Sequence, residues 1–389
     1  MRETVHIGTG TADENYQEQI LPKVSRTFAL TIPQLPPALR MAVTNAYLLC
    51  RIADTIEDES ALSTAATLLS LQRFVAVVSG KEEPAPLARE LAGQLSERTL
   101  PAERELVVNM HRVIAVHARL DAPQRAAIQR CVTVMCGGMH KFQRTASVRG
   151  LSRLSDLDDY CYYVAGVVGE MLTELFCSYS PVIARQRAGL QERAVSFAQG
   201  LQMTNILKDV WEDRGRGACW LPQEVFARYG VDLGQLAPGQ TDARFDAGMH
   251  ELVGVAHAHL RNALSFTLLI PPEEAGIRRF CLWAVGLAVL TLRKIAGTPG
   301  FTSGRQVKVS HSAVALTKFL TNAAVRRDWA LRQLFERTAR GLPLAGPEAA
   351  RSAPRAAVHA PAPVVDIGAG ARHAGPPGGG RRSEERSAQ

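Results

Sequence analysis

Residues 37–60 read PALRMAVTNAYLLCRIADTIEDES. Apolar residues return every three or four positions, the period of a helix with one buried face. Pro36-Pro37 opens it, since proline is tolerated in a first helical turn. The stretch ends on Asp54-Thr55-Ile56-Glu57-Asp58, and the same D-x-x-E-D spacing returns as Asp209-Val210-Trp211-Glu212-Asp213 near the end of another predicted helix. At about 100° per residue, positions i and i+4 stand only about 40° apart. Asp54 and Asp58 therefore share a face, as do Asp209 and Asp213. Tyr47 and Arg51 extend the first stripe and Gln202 and Asn205 the second, while Glu57 and Glu212 flank them. Carboxylates at a helix C-terminus oppose the macrodipole, so such a pair of clusters calls for a cation.

The same period runs outward from these two stripes. It predicts helices over 61–78, 102–120, 124–143, 157–179, 190–212, 246–269, 273–295 and 312–339. No segment alternates with a period of two, so an all-α fold without a sheet is expected. Residues 1–20 read as a polar N-terminal arm and 21–340 as one helical domain. Residues 341–389 hold 15 Gly or Pro among 49, with six Arg against four acids, and read as a disordered tail unable to build a core.

The chain has 389 residues, 46% hydrophobic and 21% charged, which excludes a disordered chain, a collagen repeat and a small disulfide scaffold. Net charge +8 favours anionic partners: nucleic acid, a lipid surface or phosphorylated small molecules. The seven cysteines include no CxxC and suit buried reduced thiols of a cytoplasmic protein. Met1–Asn15 carries no apolar secretory segment. The longest apolar run, Phe280–Leu292, spans 13 residues, too short for a bilayer of about 30 Å, so no transmembrane helix is expected.

Two carboxylate stripes facing each other could hold Mg²⁺, which prefers carboxylate and water oxygens and bridges to substrate phosphates. Arg51, Lys208, Arg214 and Arg216 could take the remaining phosphate charge. No His–Cys spacing suggests zinc, and no P-loop is present. Residues 160–176, from Tyr160 through Gly166 and Gly169 to Phe176, put Tyr160, Val164 and Val168 on one face. Their small residues suit either close helix contact or the wall of a lumen for long apolar chains.

Taken together, these blocks resemble the squalene and phytoene synthases, head-to-head prenyl diphosphate condensing enzymes. The resemblance covers roughly 20–335. It rests on Ser25-Arg26-Thr27-Phe28, on Tyr47 and Arg51 leading into Asp54–Asp58, on residues 160–169, and on Gln202 and Asn205 leading into Lys208-Asp209 and on to Asp213. Residues 220–225, Trp-Leu-Pro-Gln-Glu-Val, with Arg228-Tyr229 after them, look like the squalene synthase branch. So do Val307-Lys308 and the Ala313 stretch.

The resemblance implies an isoprenoid synthase helical bundle around a central cavity that binds two farnesyl diphosphates. Asp54, Glu57, Asp58, Asn205, Asp209 and Asp213 would be the Mg²⁺ set. Tyr160 would steady the cation and relay the proton as presqualene diphosphate forms. Ser25, Arg26, Phe28, Tyr47, Arg51, Val164, Gln202, Asn205, Lys208, Arg214 and Arg216 would contact substrate. NADPH, with Lys308 as a contact, would then reduce presqualene diphosphate to squalene. Lys208 and Ala218 stand where the family is usually Arg or basic, and Ala284-Val285 where squalene synthases usually carry Pro-Gln. Ser310 and His311 follow Lys308 where eukaryotic members are more basic. The departures at 284–285 and 310–311 bear on the reductive step. A phytoene or dehydrosqualene synthase, condensing without reductant, is the alternative; others are a terpene cyclase of the same fold and a non-catalytic helical scaffold on anionic lipid. A monomer with peripheral membrane contact and no nucleic-acid partner is expected.

Overall fold

The computed structural model describes residues 11–143 and 146–346. In chain order the helices are α1 (Ala12–Val24), α2 (Thr27–Thr31), α3 (Pro37–Glu57), α4 (Thr64–Val78), α5 (Pro84–Gln94), α6 (Pro101–Val108), α7 (Met110–Arg119), α8 (Ala122–Gln143), α9 (Leu154–Cys161), α10 (Val167–Tyr179), α11 (Pro181–Ala184), α12 (Arg187–Lys208), α13 (Val210–Gly215), α14 (Gln223–Ala227), α15 (Ala243–Leu269), α16 (Ala275–Ala296), α17 (His311–Ala324) and α18 (Asp328–Ala339). Among the described residues the only β-type pairing is the isolated bridge of Leu151 with Pro222. The all-α expectation therefore holds.

α3 starts at Pro37 and buries Leu39, Val43, Ala46, Leu49, Ile52 and Ile56. Each large apolar side chain so buried contributes roughly 1.5–3 kcal/mol. α3 packs against α1, α4, α6, α7, α8 and α10, and the stripe through Tyr47, Arg51 and Asp54 is left half-buried. α12 is the other central helix. It runs between α10 and α15, and glycines permit the approach: a Cβ on Gly169 would lie 2.1 Å from the Ala194 carbonyl oxygen. The small residues of 160–176 thus serve helix contact at Gly169, while Val164 and Val168 remain half-buried at the edge of the core.

Several expectations change. Residues 12–20 are not a polar arm: Thr11 and Glu14 form a capping box, and α1 buries Tyr16 and Ile20 under α3 and α7. Residues 1–10 lie outside the described residues, as does the tail from 347 onward. Ahead of that point the chain still packs on α15, where Ala345 N–H donates to the Gly254 carbonyl at 3.1 Å and the Pro343 carbonyl meets His257 Nδ1 at 2.8 Å.

The helix expected over 157–179 is interrupted by a π-helical turn, Tyr162–Gly166, whose wider loop sets Tyr163 on Gly138 of α8, where a Cβ would sit 2.2 Å from the tyrosine side chain. The helix expected over 312–339 breaks at 325–327. There the buried Arg278 of α16 takes the Val325 carbonyl at 3.1 Å and the Asp328 carboxylate at 2.7 Å. α16 is long and apolar enough to cross a membrane, yet most of its apolar length is buried among α12, α15, α17 and α18. All seven cysteines are unpaired, and all but Cys50 are buried.

Candidate functional site: two carboxylate motifs meeting at a tyrosine

The first motif closes α3. Asp58 N–H donates to the Asp54 carbonyl at 2.8 Å, so the helical register holds across the cluster. Arg51 lies one turn before it. Its guanidinium donates to the Tyr47 hydroxyl at 3.1 Å and pairs with Asp54 at 3.7 Å and with Glu103 of α6 at 3.8 Å. The Tyr47 hydroxyl donates to the Val24 carbonyl at 3.0 Å, and its ring meets Phe28 at 4.9 Å. Ser25 Oγ accepts from Phe28 N–H, in the first turn of α2, at 3.0 Å. Tyr47, Ser25 and Phe28 therefore stand together beside Arg51. Arg26 is exposed.

The second motif straddles a break. α12 ends at Lys208, Asp209 caps it, and Glu212 and Asp213 fall in the first turn of α13. Helical periodicity over 190–212 predicts this cluster at a helix C-terminus. The break instead gives Glu212 and Asp213 the favourable end of a new dipole. Asp213 N–H still donates to the Asp209 carbonyl at 2.9 Å, so the two aspartates keep one face. Lys208 Nζ pairs with Asp209 at 3.0 Å. The half-buried Gln202 and exposed Asn205 continue this face along α12. Gly304, from the loop before α17, donates its N–H to Glu212 at 2.9 Å; a Cβ there would lie 2.8 Å from Asp209 Oδ1. That loop carries the exposed Lys308.

Arg216 joins the motifs. Its guanidinium donates to Asp213 at 2.6 Å and reaches Asp58 at 4.0 Å. Tyr160, at the end of α9, is close enough to both to feel their charge. Its phenol is pushed well above its usual value by burial and then by Glu57, Cys161, Asp213 and Asp58. Its ring lies flat on Trp220, centroids 4.0 Å apart, with Phe142 edge-on at 5.3 Å. The half-buried Val164 follows one turn on.

The carboxylates are under-compensated. Asp54 is pushed up to about 6 by burial, with Asp58 and Glu103 adding to the rise and Arg51 opposing it. Burial also raises Glu57, helped by Asp54 and Asp58. Asp58 and Asp213 are raised by burial against the pull of Arg216. Such a cluster favours an added cation. Among the described residues no three His, Cys, Asp or Glu side chains close into a metal cage. Mg²⁺ needs none, since it commonly takes one or two carboxylates together with water and substrate phosphates.

One expected phosphate contact is spent elsewhere. Arg214 donates to the carbonyls of Val148, Leu233 and Leu236 at 2.6, 2.9 and 2.7 Å, which ties α13 to two loops and turns its guanidinium from the carboxylates. Three residues joined the site unannounced. Glu103 follows Pro101 in an ordinary helix start, and no spacing links it to Asp54. Gly304 gave no signal. Trp220 was legible only as a family marker.

A family model described as squalene/phytoene synthase matches residues 21–313. A squalene synthase of Candida albicans is 29% identical over 331 residues, covering 80% of this chain and 68% of that protein. The solved complex of TcSQS with the ligand BPH1237 superposes with a TM-score of 0.67 at 22% identity, covering 85% of this chain and 98% of the other. A dehydrosqualene synthase in complex with ligand gives 0.59 at 23% identity, covering 81% and 96%. At these identities the two solved structures bear on the fold.

Proposed function

We propose, from the premise that this chain belongs to the squalene/phytoene synthase family, that it is a squalene synthase. In this reading the helical domain, taking in α1 from Ala12, forms the catalytic unit, which joins two farnesyl diphosphates head to head and reduces the presqualene diphosphate so formed to squalene. The observation that carries the reading is Arg216, whose guanidinium reaches a carboxylate of each motif beside Tyr160.

The carboxylates fit Mg²⁺, because burial, with their neighbours' charge added to it, penalises the ionised form and a cation would relieve that penalty. Asp54, Glu57 and Asp58 on one side, with Asn205, Asp209 and Asp213 on the other, would hold it. Bound there, Mg²⁺ would neutralise the diphosphate and make it a leaving group. Arg51 and Lys208 would hold diphosphate oxygens, and Arg216 would exchange a carboxylate for a phosphate. Ser25, Phe28 and Tyr47 shape the approach to Arg51.

The allylic cation left when diphosphate departs would be attacked by the double bond of the second farnesyl chain, and loss of one proton would close the cyclopropane. The Tyr160 ring, backed by Trp220, offers an aromatic face to that cation. Its phenol oxygen, kept protonated by burial, can accept the proton only while passing its own to the departing diphosphate. Apolar Val164 and Val168 keep water from the cation. For the reductive step NADPH would supply hydride. The exposed Lys308 and Arg305, on the loop whose Gly304 binds the second motif, suit its phosphate.

A product assay with farnesyl diphosphate and Mg²⁺ tests this. Squalene that appears only with NADPH supports the reading. Dehydrosqualene, with or without NADPH, would establish condensation without reduction, the outcome favoured by Ala284-Val285 in α16. A chain that binds anionic vesicles, makes no product and is indifferent to Asp54→Asn would be a scaffold. We further place the monomeric enzyme in the cytoplasm with a peripheral lipid contact, because its substrate tails and product are apolar.

A further inference from the structure

We propose that the outward face of α17, with the start of α18, docks on an anionic lipid surface. The claim deepens the peripheral contact proposed above and names the surface that makes it.

α17 turns Thr321 and Ala324 inward, toward α16 and α18, and leaves an apolar stripe outside. Leu316 is 57% exposed, Phe319 70% and Leu320 37%, and Trp329 at the start of α18 is 69% exposed. These are four of the large exposed apolar side chains of the described residues, gathered within 14 positions of one chain segment. An outward face of this kind costs free energy in water unless something covers it.

Charge selects the occupant. From Phe301 to Arg327 the sequence has no Asp or Glu, while Arg305, Lys308, Lys318, Arg326 and Arg327 are basic. Arg326 and Arg327 are exposed and lie between Leu320 and Trp329. The next acid, Asp328, is paired with the buried Arg278 at 2.7 Å. Leucine and phenylalanine flanked by arginine, with an exposed tryptophan beside them, is the chemistry of a helix lying in a headgroup layer. A second copy of this chain would bring the same cations against each other, so self-association is disfavoured. The family model ends at 313, so most of this face lies outside the part of the chain that it describes.

Vesicle flotation of the full chain tests the proposal, using phosphatidylcholine alone and phosphatidylcholine with phosphatidylglycerol. We expect binding to the mixed vesicles that weakens with salt. It should fall about tenfold or more both in Leu316→Ser/Phe319→Ser/Trp329→Ser and in Arg326→Glu/Arg327→Glu, since each basic residue adds to attraction near an anionic surface. Circular dichroism and diphosphate release in detergent would show the variants folded. Binding that survives both sets of substitutions overturns this face and leaves a lipid contact elsewhere. No vesicle binding by the wild type overturns both. A dimer that dissociates on Phe319→Ser, or vesicle binding that appears only once residues 347–389 are removed, would assign the face to a second copy or to the chain's own tail.

Discussion

The ring of Tyr160 lies flat on the indole of Trp220, their centroids 4.0 Å apart and their planes within 8°. Tyr160 lies in the last turn of α9, and Trp220 lies in the loop after α13, so the stack joins the π-interrupted segment to the second acidic motif. It holds one phenol within the field of Glu57, Asp58 and Asp213. Tyr160→Phe should keep the stack and the fold but lose the hydroxyl. We expect kcat to fall about 10²–10⁴-fold, the range for removing a positioned proton carrier. KM for farnesyl diphosphate should change little. Trp220→Ala should lower kcat as well, by freeing the ring; Trp220→Phe should restore most of it.

Asp54→Asn and Asp209→Asn should each abolish most turnover without unfolding the chain. For Asp54 the metal-free melting temperature should hold or rise, because the substitution removes a charge that burial already penalises. A fall of several degrees with Asp54→Asn would show that the carboxylate is structural. Thermal melts and diphosphate release on the same samples decide it.

Metal and proton compete for the same carboxylates. The Asp54 carboxyl sits at about 6 in the folded chain against an ordinary 3.8. A group raised on folding gives stability that is full below its unfolded value and lost as pH climbs through its folded value. Metal-free protein should therefore lose stability between about pH 4 and 7 on this account. Added Mg²⁺ should raise the melting temperature more at pH 7.5 than at pH 5, and chelation should reverse the gain. An equal Mg²⁺ shift at both values would show that these carboxylates do not bind it.

Arg214 and Arg216 should separate cleanly. Arg214→Ala removes three hydrogen bonds to carbonyls, of which Leu233 keeps the Leu236 N–H, and should cost roughly 1–3 kcal/mol in urea denaturation. Arg216→Ala removes an exposed pairing and should leave stability nearly unchanged while raising KM for the diphosphate substrate. The opposite pattern would exchange their roles.

Gly304→Ala would place a methyl 2.8 Å from Asp209 Oδ1 and 3.1 Å from the Lys208 carbonyl. The second motif must shift to admit it. Mg²⁺ affinity read by the melting shift should weaken, with the metal-free fold retained.

Periodicity and spacing alone carried the all-α class, the start of α3 at Pro37, and the pairing of Asp54 with Asp58 and of Asp209 with Asp213. Each of these depends on residues within a turn or two of each other, where helix geometry is fixed by the backbone. The breaks were harder to read. The end of α12 at Lys208, the π turn at 162–166 and the interruption by Arg278 after α17 answer to neighbours far along the chain. Long-range packing alone brought Glu103 to Arg51, laid Gly304 on the second motif and stacked Trp220 on Tyr160. It also sent Arg214 to three carbonyls and left Arg216 between the two motifs, although the sequence presents these two arginines, two positions apart, as equivalent cations. Their difference is one of direction: a side chain's chemistry is written locally, but what it faces is set by whichever helix the fold puts opposite.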